Sequence, residues 1–244
     1  MFDQTEHRPW PVPSKPWLIT QTWEHLLFAH WPIPVESIRN LVPSILEIDT
    51  FDHYAWISVV PFQISQIRLR GIVPIPFSTF PELNVRTYVV YRNKPGVYFF
   101  SCDAASWLAV IAGKTIHHLP YYHAHGQLIH QNDWITFTSR RNGSKTIPAV
   151  FEAQYRPVSG VYHASDNSLD HWLTERYCLY TTYHNKLYRC DIHHLPWPLQ
   201  QAEAEIVQNT LMTSQQIFLP NIPPIFHYAK NLTAFIWTLT LEND

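Results

Sequence analysis

The span AGKTIHHLPYYHAHG, from Ala112 to Gly126, places four of the chain's 15 histidines beside two adjacent tyrosines. Imidazoles and phenols at this density can hold a metal, move protons or wall a pocket. His123 and His125 alternate, so on a strand both rings point to one side, as a zinc site would require. His117 and His118 are adjacent, so a regular element can direct only one of them to a common site. A second pair, His193 and His194, sits in DIHHLPWPLQ and also precedes Leu-Pro. No HExxH and no two-His-plus-carboxylate spacing occurs, and His25, His53 and His130 fall outside any motif. No metal is therefore expected.

A second group with chemical capacity lies in ELNVRTYV. Period two puts Glu82, Asn84, Arg86 and Tyr88 on one face of a strand and Leu83, Val85, Thr87 and Val89 on the other. A carboxylate, an amide and a guanidinium on one face could orient a small anionic ligand if that face lines a cavity. The other reading is a solvated face whose Glu–Arg pair is worth less than about 1 kcal/mol. Nucleophile elbows, P-loops and GxGxxG turns are missing, and six glycines leave little material for a phosphate-cradling loop. No cofactor is expected. Cys178, in TERYCLY, could pair with a histidine, though a strand cysteine more often packs in a core.

Several elements must position these groups. RPWPVPSKPW reads as an extended arm, since each X-Pro step disfavours helix. LITQTWEHLLFAHW mixes strand and helix formers and is ambiguous. Strands are expected at ELNVRTYV, VYFFSCD, WITFTSR, RYCLYTT and IWTLTL, all rich in aromatics, Thr or β-branched residues. Helices are expected at VESIRNLVP, where Pro43 is the stop, at AASWLAVIAG, at SLDHWLTER with Ser168 as N-cap, and at AEAEIVQNTLM. Many strands with few, non-alternating helices predict an α+β protein with a mostly antiparallel sheet or barrel, forming one domain over residues 1–244.

Composition narrows the function classes. Hydrophobic residues make up 46% and charged residues 15% of 244, which excludes general disorder. Ten tryptophans suggest aromatics that line something besides a core. Net charge is −2 and the 17 Lys and Arg are scattered, so nucleic acid is not an expected partner. No apolar run approaches a membrane span, and MFDQTEHRPWPVP lacks a signal-peptide pattern. Three widely spaced cysteines, Cys102, Cys178 and Cys190, read as reduced thiols of a cytoplasmic protein.

RPWPVPSKPWLITQTWEHLLFAHWPIP, FPELNVRTYV, FFSCDAASWLAVIAGKTIHHLPYYHA, LTERYCLY and IHHLPWPLQQAEAEI together resemble the YqjF-like family of uncharacterised bacterial proteins, over nearly the whole chain. LVPSILEID and AGKTIHHLPYY resemble, more distantly, segments of acetoacetate decarboxylase. That resemblance implies a β-barrel or cone of strands with a few peripheral helices around a closed cavity. Gly113 and Lys114 take the places of the decarboxylase's Gly-Arg, and Pro120 that of its proline. Tyr121 and Tyr122 stand where it has two lysines, one the Schiff-base former and the other its pKa modulator. Tyrosine forms no imine with a ketone, so the resemblance implies a retained pocket without its covalent catalyst. Glu82 falls near the decarboxylase's pocket glutamate, which would set Glu82 and Arg86 beside Tyr121 and Tyr122.

Three classes of function follow. An enzyme would use Tyr121 or Tyr122 with Glu82, Arg86 or His118 for acid–base or decarboxylation-like chemistry. A binding protein would use the same residues to hold a small carboxylate or carbonyl compound. An oligomeric scaffold would leave the polar face of ELNVRTYV in solvent.

Overall fold

A computed structural model describes Phe2 and residues 4–72, 78–141 and 147–242. In chain order the elements are β1 (Ile19–Ile33), α1 (Glu36–Arg39), β2 (Glu47–Ile48), β3 (Ala55–Leu69), β4 (Phe80–Tyr91), β5 (Lys94–Ala104) and α2 (Trp107–Ile116). There follow β6 (Tyr121–His123), β7 (His125–Gln131), β8 (Trp134–Arg141), β9 (Ala149–Pro157), α3 (Leu169–Thr174), β10 (Cys178–Tyr183) and β11 (Lys186–His193). The chain ends with β12 (Leu199–Asn209), α4 (Leu211–Ser214), β13 (Ile225–Ile236) and β14 (Thr240–Leu241).

Seven strands close into a ring in the order β1, β3, β4, β5, β10, β11, β13 and back to β1. Every neighbouring pair in it is antiparallel except β5 with β10. The closing seam is short, pairing Ile192 with Ile236 and His193 with Phe235. Closure leaves no free edge inside the ring.

β1 settles its ambiguity as a 15-residue strand with a bulge. His25 takes a positive φ of 54°, and the register against β3 shifts between Glu24 and Ala29. A bulge inserts one residue and so reverses which parity faces inward. Trp23 points into the ring before it, and Leu26 and Phe28 do so after it, sharing a core cluster with Val60 and Phe62 of β3. Leu27, Ala29, Trp31 and Ile33 face the other way. They pack with Leu83 and Val85 of β4 against Phe137, Phe151 and Tyr155 of an outer sheet, ordered β12, β9, β8, β7.

The α+β architecture and the ring-like, mostly antiparallel sheet match the expectation. Ser168 caps α3 by accepting from the His171 N–H at 3.2 Å. One expected helix is overturned: residues 202–209 of AEAEIVQNTLM belong to β12, paired antiparallel with β9. Ala202, Ala204 and Ile206 pack on the core while Glu203, Glu205 and Val207 are exposed. Strict alternation, not the helix propensity of Ala and Glu, governs the segment. Only Leu211–Ser214 is helical. IWTLTL is likewise interrupted, with Trp237–Leu239 separating β13 from β14.

The amino-terminal arm is non-helical and lies against the ring. Arg8 Nη1 donates to the Ile192 carbonyl at 2.5 Å, and its guanidinium covers Tyr177 at 4.7 Å. Trp10 Nε1 donates to Asp191. Among the described residues no helix is long and apolar enough to cross a membrane.

Candidate functional site

A cavity of about 110 Å³ occupies the interior of the ring, and all seven ring strands contribute to its wall. Aromatic and aliphatic side chains dominate, among them Trp23, Phe28, Phe62, Phe99, Leu179 and Trp197. Into this apolar wall project Glu82, Asn84 and Arg86 of β4, Cys102 of β5, His117, Tyr121, Arg176 and His194. The polar face of ELNVRTYV therefore lines a cavity, with Glu82 buried and Asn84 and Arg86 half-buried.

Glu82 is 3% exposed. Burial is the main reason its carboxyl is pushed up from the usual 4.5 to about 8. The hydrogen bond from Tyr121 opposes that rise, as does one from Asn84, and nearby Asp103 adds to it. Tyr121 Oη donates to both carboxylate oxygens, at 3.1 and 3.2 Å. Burial and the adjoining carboxyl in turn hold the Tyr121 phenol well above its ordinary range. At neutral pH the pair is thus an acid and a phenol, both carrying protons.

The position of Tyr121 depends on a glycine. A Cβ built on Gly113 of α2 would lie 2.2 Å from Tyr121 Cδ2, so the ring lies flat on the helix where only hydrogen fits. β6 then pairs in parallel with β5, setting Tyr121 beside Cys102. Burial, with Glu82 and Asp103 nearby, keeps the Cys102 thiol protonated.

Two guanidinium groups reach the same cavity. Arg86 lies over Phe28 at 5.5 Å and Tyr88 at 5.9 Å, and its Nε is buried with no hydrogen-bond partner among the described residues. Arg176 follows α3 and is wedged between Trp172 at 4.4 Å and Tyr88 at 4.9 Å. Its Nε donates to the Trp172 carbonyl at 2.7 Å and its Nη1 to Asp49 at 2.5 Å, while Nη2 is buried and unpartnered. Burial lowers its pKa, Asp49 raises it, and Arg86 contributes a further, smaller lowering. Buried N–H groups without protein acceptors are uncommon. Such guanidinium donors suit an anion.

Of the residues singled out from sequence, Glu82, Arg86 and Tyr121 converge. Tyr122 does not, because adjacent strand residues point to opposite faces. Its ring stacks instead at 3.9 Å on Arg141, which forms a buried ion pair with Asp103. His118 leaves the cavity too: at a positive φ of 51° it stacks on Tyr183 with ring centroids 3.8 Å apart. His117 takes the inward place. His123 stacks on Trp107 and lies 5.4 Å from the His125 ring. No group of three or more His, Cys, Asp or Glu among the described residues is arranged to hold a metal. Arg176 and His194 were missed from sequence as cavity residues.

The ring and its enclosed cavity define an acetoacetate decarboxylase-like fold. The chain superposes on acetoacetate decarboxylase from Legionella pneumophila with a TM-score of 0.63 at 12% identity, covering 97% of this chain and 92% of that one. An acetoacetate decarboxylase-like enzyme from Sphingomonas wittichii RW1 gives 0.65 at 10%, covering 98% of each. The enduracididine biosynthesis enzyme MppR, complexed with pyruvate, gives 0.64 at 9%, covering 97% and 94%. Within that fold the chain belongs to the DUF2071 family of uncharacterized conserved proteins, whose model matches residues 20–233. It is 49% identical over 240 residues to the uncharacterized protein YqjF of Bacillus subtilis (strain 168), covering 98% of both.

Proposed function

We propose that the ring encloses a binding site for a small organic carboxylate and holds it without a covalent lysine adduct. The carrying observation is that Arg86 Nε and Arg176 Nη2, both buried and without acceptors, belong to side chains lining one cavity. Asp49 offsets the charge of Arg176, which leaves Arg86 as the cation a monoanion would neutralise. About 110 Å³ far exceeds the roughly 10–15 Å³ a single water needs and suits a ligand of several non-hydrogen atoms. Protonated Glu82, which accepts from Tyr121, would donate to a carbonyl or hydroxyl oxygen of the same ligand. Among the described residues no lysine lines the cavity, which supports a non-covalent mode.

An acid–base enzyme is the second reading, and it rests on Glu82 itself. A carboxylic acid kept neutral near pH 7 in an apolar site is suited to donate a proton to a developing oxyanion.

Thermal-shift titration with acetate, propionate, pyruvate and acetoacetate, each paired with its amide or methyl ester, tests the proposal. The acids should stabilise the fold and the neutral analogues should not. Arg86→Gln should weaken acid binding by at least about tenfold, the worth of one charged hydrogen bond. Equal binding of acids and neutral analogues would overturn the carboxylate reading. A borohydride-trapped acetoacetate adduct on any lysine would overturn the non-covalent one.

A further inference from the structure

Five buried polar atoms on cavity-lining side chains have no hydrogen-bond partner among the described residues: Asn84 Oδ1, Arg86 Nε, His117 Nδ1, Arg176 Nη2 and Trp197 Nε1. The two guanidinium nitrogens and the indole nitrogen can only donate. His117 Nδ1 donates or accepts according to its tautomer. Asn84 Oδ1 can only accept. A carboxylate answers the donors and has nothing to offer Asn84.

The strands on either side of Asn84 supply no donor. Its register partners are Val60 of β3 and Cys102 of β5. The Val60 side chain is apolar, and the Cys102 thiol makes no hydrogen bond to Oδ1. The nitrogen end of the amide is committed, since it donates to Glu82, which also accepts from Tyr121 at 3.1 and 3.2 Å. Glu82 and Asn84 stand two residues apart on one strand face, about 7 Å between Cα atoms, and their hydrogen bond brings the polar ends together. One ligand atom can therefore touch both. Arg86 stands two residues further along the same face, so a carboxylate at Arg86 and a group at Asn84 fit one short molecule.

The two side chains define what the touching atom must be. Glu82, kept protonated at neutral pH by burial, has a hydrogen to give, and Asn84 Oδ1 lacks one. A hydroxyl oxygen accepts the first and donates to the second. A keto oxygen accepts only and leaves Oδ1 bare, which is costly for a buried group. An ammonium donates only, and it adds positive charge beside Arg86 and Arg176, of which Asp49 offsets one.

We propose that the acid selected by this cavity is a short hydroxy acid, whose hydroxyl on C2 or C3 accepts from Glu82 and donates to Asn84 Oδ1. The inference rests on the carboxylate reading given above and makes Asn84 the residue that sets specificity.

Calorimetric titration of the intact protein at pH 6.5 with matched pairs tests it. Each enantiomer of lactate is compared with pyruvate, and each enantiomer of 3-hydroxybutyrate with acetoacetate, with alanine as the ammonium control. At least one hydroxy acid should bind about tenfold or more tightly than its keto partner, the effect of one buried acceptor left unpaired. Alanine should bind more weakly than lactate. Asn84→Leu, with an amide spectrum confirming its fold, should bring the hydroxy-to-keto ratio close to one. A ratio near or below one for both pairs in wild type overturns the proposal, and so does a preference that survives in folded Asn84→Leu or alanine binding more tightly than lactate. If Asn84→Leu does not fold, the wild-type ratios decide. Acids that bind without regard to the hydroxyl leave the carboxylate reading standing and remove this inference. If none of these acids binds, the carboxylate reading falls and this inference falls with it.

Discussion

Glu82 concentrates the chemistry of the cavity into one titration. Its folded pKa, about 8, exceeds the ordinary 4.5 because burial penalises the anion. Between these values the unfolded chain is ionised and the folded chain is not, so folding takes up a proton and stability falls as pH rises from about 4.5 to about 8. Glu82→Gln removes the titration and should flatten that slope, leaving the variant more stable than wild type at pH 8.5 in urea unfolding. Tyr121 pulls the other way, since its hydrogen bond favours the carboxylate. Tyr121→Phe should therefore move the Glu82 midpoint above 8, followed by carboxyl carbon NMR. An unchanged or lower midpoint would show that the phenol does not stabilise the anion. At this scale the sequence was partly legible: period two put Glu82, Asn84 and Arg86 on one face. Arg176 was not legible, because it stands 90 positions further along the chain and only ring closure brings it to Arg86.

Elements set those side chains through tight local fits. α2 and β6 meet where Tyr121 covers Gly113, and a methyl there would overlap the ring. Gly113→Ala should cost about 1–3 kcal/mol, typical of overpacking, and should also displace Tyr121 from Glu82. The two effects separate by comparison with Tyr121→Phe, which loses the hydrogen bond without the clash. Asp103 of β5 and Arg141 of β8 tie the ring to the outer sheet through a fully buried ion pair. Asp103→Asn should destabilise by about 3–5 kcal/mol, because Arg141 would keep its charge without a counter-ion. A loss under 1 kcal/mol in urea unfolding would mean that solvent reaches the pair. Reading elements from sequence succeeded where alternation coincided with β-branched and aromatic residues, as in β4 and β8. It failed at residues 202–209, where the alternation was carried by Ala and Glu. Those residues prefer helix in isolation and become a strand only because β9 supplies a partner edge.

The whole molecule is held as a ring by a seam that sequence patterns do not reveal, since β11 and β13 are separated by β12 and α4. That seam has only two paired positions, and Trp237 sits immediately beyond it. The Trp237 indole is buried, and its Nε1 donates to the Lys15 carbonyl at 2.7 Å. Its own N–H donates to the Asp191 carbonyl at 3.0 Å, and its carbonyl accepts from the Cys190 thiol at 3.1 Å. Through its indole and its backbone, this one residue joins the amino-terminal arm, the end of β13 and the end of β11. Trp237→Ala should cost about 3–5 kcal/mol, as for other large buried aromatics. The loss should appear as faster amide exchange at Ile192, His193 and Ile236, with the outer-sheet amides of β8 and β9 less affected. Opening the seam also breaches the cavity wall, because Ile192 and Ile236 both line it. Acid binding should therefore weaken in the folded variant even though Trp237 is not a lining residue. Equal loss of protection across both sheets would instead show that ring and outer sheet unfold as one unit.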